Sequence, residues 1–112
     1  MAQTREVRGV ATWVRADGPW THVRYHDTDV VSFDADTVIL RTGGWETATT
    51  KLRMNQASYQ FNLGFTVYAK NREWFVRYCD GEESIRFENG MRIKRRSMRW
   101  TGEEWVAEEV AA

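Results

Sequence analysis

Between Thr49 and Leu63 the apolar residues change their period, and that switch limits what the chain can fold into. Leu52, Tyr59 and Leu63 fall on one helical stripe, and Met54, Ala57 and Phe61 fall beside it. Lys51, Arg53, Asn55 and Gln60 carry the polar character of the segment. Thr47 or Thr49 suits the N-cap, and Gly64 stands where a left-handed residue would close the helix.

The other segments read as strands. Residues 6–15 and 21–33 are rich in Val, Thr, Trp and Tyr and flank the turn 17-DGPW-20, while 37–41 is a short buried strand after the turn 34-DAD-36. Segments 65–70, 73–79, 84–88 and 91–96 form a meander, with Asn89-Gly90 as a hairpin turn joining the last two. In that hairpin Ile85, Phe87, Met91 and Ile93 would share a face. The spacing of 101-TGEE-104 predicts a short C-terminal helix or docked tail. The expected fold is α+β and β-rich: an antiparallel sheet or meander packed with one amphipathic helix.

At 112 residues the chain suits one core, and residues 1–112 are expected to form a single domain. No run approaches the roughly 18 apolar residues of a membrane span, so no membrane partner is expected. The start of the chain lacks the apolar core of a secretory signal, and a single cysteine, Cys79, cannot form an internal disulfide, which points to the cytoplasm. No cofactor or metal is expected, since Cys79, His22 and His26 make no complete ligand set.

Formal net charge is zero, but its distribution is uneven. Thirteen of the sixteen basic residues are Arg, which favours bidentate grips on phosphate or carboxylate. Arg92, Lys94, Arg95, Arg96 and Arg99 form a dense cluster suited to nucleic acid, whereas the acids gather at 27–36, 80–88 and 103–109.

The stretch 42-TGGWETATTK-51 lies between strand and helix. It reads in two ways. Gly43, Gly44, Thr49, Thr50, Lys51 and Arg53 can form a phosphate cradle at a helix N-terminus, or the glycines and threonines can serve a turn and a helix cap. The P-loop and dinucleotide spacings are both absent. Trp13, Trp74, Phe75 and Tyr78 suit the core, while Trp45 and Tyr59 are stacking candidates for a nucleobase, beside Tyr25, Tyr68 and Trp100. His26 with Asp27 and Asp29, the pair Asp34 and Asp36, and Cys79 were the residues available for catalysis; their spacing matches no catalytic pattern, and the chain is expected not to be an enzyme.

The segments 26-HDTDVV-31, 38-VILRTGGWETATTKLRMNQ-56 and 63-LGFTVYAKNREWFV-76 resemble a family of small proteins encoded by bacteriophages and prophages. The resemblance rests on TGGW-x-T-x-TTK-x-RMNQ and covers about half the chain. It implies a host-takeover or counter-defence factor, similar to viral antagonists of Thoeris and CBASS immunity that sequester cyclic nucleotide signals. The expected partner is then a nucleotide-type small molecule. Nucleic acid at residues 92–99, or a host protein held by the acidic tail and Trp105, are the alternatives, and a homo-oligomer is compatible with each.

Overall fold

The computed structural model describes residues 7, 9–78, 81, 83–103 and 105–107, and for 98–100 and 105–107 the backbone alone. Among the described residues the architecture is α+β and β-rich, with two antiparallel sheets, one helix and a C-terminal β-hairpin.

The first sheet holds β1 (Thr12–Asp17), β2 (Trp20–Tyr25), β3 (Thr28–Phe33), β4 (Thr37–Leu40) and β8 (Met91–Lys94), in the order β1-β2-β3-β4-β8. The β1–β2 loop is Gly18-Pro19, with Gly18 at φ 60, as a two-residue hairpin requires at its first central position. The second sheet is β5 (Phe65–Lys70), β6 (Glu73–Tyr78) and β7 (Ser84–Arg86). Helix α1 spans Ala48–Phe61 and packs against β5, β3 and β2.

A single hydrophobic cluster draws on all three components. Val23, Val31 and Leu40 come from the first sheet, Phe65, Val67 and Val76 from the second, and Met54 and Ala57 from the helix. Helix and second sheet are also sewn together by polar groups. The Asn55 side chain accepts from the Val67 amide at 2.8 Å and donates to its carbonyl at 2.9 Å. Ser58 Oγ accepts from the Phe65 amide and donates to the Phe65 carbonyl. β5 is an edge strand, so these two side chains take the place of a missing strand and close the edge.

Several sequence expectations need correction. Residues 21–33 are two strands, separated by a turn in which His26 adopts φ 55. Among the described residues the first strand begins at Thr12; residues 6 and 8 of the expected strand lie outside them. Asn89-Gly90 does not join a hairpin: β7 pairs with β6 and β8 with β4, so the chain changes sheet there. Phe87 and Ile93 are buried but Ile85 is exposed. The helix ends at Asn62, which takes the left-handed C-cap conformation. Gly64, also at positive φ, is required because a Cβ there would collide with the carbonyl oxygen of Arg96. Met54 and Ala57 of the helix and Leu63 just beyond its cap are buried in the core, whereas Tyr59 is exposed. Arg53, Gln56 and Ser58 are buried polar residues. Where a short C-terminal helix or a docked tail was expected, Trp105–Ala107 is strand β10, paired with β9 (Met98–Trp100).

Candidate functional site

The stretch 42–50 folds as a turn followed by a cap. The Trp45 amide donates to the Thr42 carbonyl at 3.1 Å, with Gly43 at φ 65 and Gly44 at φ 90. Two successive positive φ angles define a turn that glycine enters without penalty. At Gly43 a Cβ would also strike the Thr28 hydroxyl, so this turn lies hard against the start of β3. Thr42 Oγ1 accepts from the Gly44 amide at 3.1 Å. Thr47 is the N-cap: its hydroxyl accepts the Thr50 amide at 3.1 Å and sits 3.0 Å from the Thr50 hydroxyl.

Turn and cap form one wall of a cleft of about 420 Å³, with the β2–β3 turn opposite. Tyr25, His26, Asp27 and Thr28 come from that turn; Thr42, Trp45, Thr47 and Thr50 come from the first wall. Val30 supplies part of the lining because of a β-bulge. Val23 pairs with Val31 and Arg24 with Asp29, leaving Val30 as the extra residue, and such a bulge re-aims side chains. The volume lies in the range of small-molecule sites, and the lining combines aromatic rings with a few convergent polar groups. Trp45 is 72% exposed, a large flat surface at the mouth.

The six residues expected to cradle phosphate are only partly brought together. Thr50 lines the cleft. Gly43 and Gly44 shape its wall from behind, and Thr49 lies in the first turn of α1. Lys51 turns away, with its ammonium 5.9 Å from the Trp74 ring centroid. Arg53 is 8% exposed; its Nε donates to Thr12 Oγ1 at 2.8 Å, an NH2 group donates to Gln56 Oε1 at 3.3 Å, and its guanidinium lies 5.6 Å from the Tyr25 ring. Arg53 therefore braces the cleft wall from inside. Of the stacking candidates, Trp45 lines the cleft and Tyr59 stands near the far end of α1.

The basic cluster is split as well. Arg92 and Lys94 are exposed on β8. Arg95 points the other way, donating to the carbonyls of Asp34 at 2.9 Å and Phe61 at 2.7 Å. The Arg96 guanidinium sits 3.8 Å from the Tyr78 ring centroid. The side chains of Arg99, Trp100 and Trp105, together with Cys79, Asp80, Glu82, Glu104, Glu108 and Glu109, lie outside the described residues. Among the described residues no three His, Cys, Asp or Glu side chains group as a metal site, and no helix is long and apolar enough to cross a membrane.

The β2–β3 turn enters the cleft lining without having been expected there as a unit. A signal was present: thirteen residues from 21 to 33 exceed the usual strand of about 5–6, and His26-Asp27 falls at the middle.

The sequence model of one protein family, described as Kyanoviridae Gp96 protein, matches residues 2–94 and so takes in both walls of the cleft. No curated protein and no solved structure matches the chain.

Proposed function

This chain belongs to the Kyanoviridae Gp96 protein family, a bacteriophage family, and from that premise we propose that it is a non-catalytic binding protein that captures a nucleotide-type ligand in the host cytoplasm. The observation that carries this reading is the cleft, where aromatic rings, hydroxyls and the first turn of a helix meet. The base stacks on Trp45, with Tyr25 and His26 close by, and its amino groups donate to Asp27. The phosphate sits at the start of α1, where backbone N–H groups without intrahelical partners and the helix dipole favour an anion. The Thr47 and Thr50 hydroxyls complete that end.

Lys51 and Arg53 have no direct role in this arrangement, and among the described residues no Lys or Arg lines the cleft. A neutral, hydroxyl-lined anion end suits one phosphodiester charge better than a triphosphate, which is why a cyclic nucleotide signal is the ligand class that fits. Sequestering such a signal would make the protein a counter-defence factor.

Calorimetric titration against a panel of mononucleotides, cyclic mononucleotides and cyclic dinucleotides tests the proposal. The expected result is binding by a cyclic member, weakened about tenfold or more in Trp45→Ala, since a stacked base contributes about 1–3 kcal/mol. Absence of binding across the panel, or wild-type affinity in Trp45→Ala, would overturn it.

A further inference from the structure

We infer that the outer face of the five-stranded sheet is a docking surface for single-stranded nucleic acid, separate from the cleft. The strand registers place Arg15, His22, Ser32, Ile39 and Arg92 in one row across all five strands. Val23, Val31, Val38 and Ile93 point the opposite way, into the core. Ile39, 6% exposed, lies on the outer side of the sheet, outside the core cluster. Helix α1 packs on the inner side, through Met54 and Ala57.

Among the described residues five cations project on this face: Arg15, Arg24, Arg41, Arg92 and Lys94. The described carboxylates among them are Asp17 and Asp29. Asp29 accepts from Arg24 Nε at 3.1 Å and from both terminal nitrogens of Arg15 at 3.3 and 3.4 Å. Arg41 donates to Ser32 Oγ at 3.1 Å, and the same hydroxyl lies 2.7 Å from His22 Nδ1. One carboxylate thus orders two guanidiniums and leaves them jointly cationic, and one buried hydroxyl orders a third. Cations already held in place lose less side-chain freedom when a phosphate arrives.

Trp13 shares this face, pairs with Arg24 and is 51% exposed. Adjacent strands are spaced about 4.8 Å, so Arg15 and Arg92 stand roughly 19 Å apart across the sheet. A cationic surface of that width with an exposed indole suits a strand whose bases are unstacked. A duplex hides its base faces and offers nothing for Trp13 to stack on. None of these residues lines the cleft, so this inference stands or falls independently of the nucleotide proposal.

Fluorescence anisotropy with the full chain and a labelled oligothymidylate of about 20 nucleotides tests the inference. Binding is expected to weaken with salt at a log–log slope of roughly −2 to −3, as three or four phosphate contacts to a single strand require. The double substitution Arg92→Glu and Lys94→Glu should weaken binding at least about tenfold, and Trp13→Ala at least about fivefold. Lys70→Glu, on the other sheet, should leave it unchanged. Absence of binding, a flat salt response, wild-type affinity in the β8 double variant, or equal binding of duplex DNA or polyglutamate would each overturn it.

Discussion

The amide of Thr42 donates to the side-chain oxygen of Asn89 at 2.8 Å, across forty-seven residues of sequence. Thr42 opens the turn that carries Trp45, and Asn89 sits where the chain leaves one sheet for the other; the neighbouring Gly90 amide donates to the Leu40 carbonyl at 2.7 Å. The cleft wall is therefore anchored to the joint between the two sheets.

Asn89→Ala should leave the amide of buried Thr42 without an acceptor, and stability should fall by about 1–3 kcal/mol. Asn89→Asp keeps an acceptor and should retain most of the stability. Urea unfolding of the three proteins checks this; equal midpoints for Asn89→Ala and wild type would contradict it.

Arg53 fills space between the helix, Thr12 and Tyr25, and its guanidinium occupies the volume a Cβ on Gly9 would need. Arg53→Ala should cost about 2 kcal/mol or more, from lost packing and from hydrogen-bond partners left unpaired. Arg53→Lys cannot reproduce the planar fork and should recover only part of that loss. In thermal unfolding both variants should melt below wild type, the alanine variant lower.

Asp29 should make the protein acid-sensitive. Burial of its carboxyl raises the pKa, but the hydrogen bonds and charges of Arg24 and Arg15 outweigh that effect and hold it below the usual carboxylate range. Asp34 is also lowered, by the amides of Asp36 and Thr37. A carboxyl with a depressed folded-state pKa stabilises fully above its unfolded value, near 3.9, and loses that contribution as pH falls through the folded value. Wild type should therefore lose stability progressively below about pH 5. Asp29→Asn should be less stable than wild type at pH 7 and should show a shallower decline on acidification, measured by urea midpoints.

Much of the fold was legible because its signals are local. Period changes marked α1, Gly18-Pro19 marked the first hairpin, and a threonine cap was expected at the helix start. The failures share a physical cause in tertiary partners. Asn89-Gly90 has hairpin chemistry, but the Asn side chain is taken by Thr42 and the flanking strands pair elsewhere. Asn55 and Ser58 read as ordinary polar helix residues, although they close the β5 edge. Of the residues singled out in the sequence, Trp45, Thr50 and Tyr25 line the cleft, the first two because the turn and cap that place them are contiguous. The opposite wall at Tyr25–Thr28 depends on a bulge and on two strands meeting across the fold, which no local pattern records. Arg53 stands out in the sequence by its charge, whereas its burial follows from tertiary packing that the sequence does not display.

The central claim is that the cleft between the β2–β3 turn and the start of α1 holds a nucleotide, and an amide NMR titration with the tightest-binding cyclic nucleotide tests it most directly. The largest shifts should fall on the Trp45 indole N–H and on the backbone amides of His26, Ala48 and Thr49. Shifts confined to the outer sheet face around Arg92 and Lys94, or no shifts at Trp45 and the first turn of α1, would contradict it.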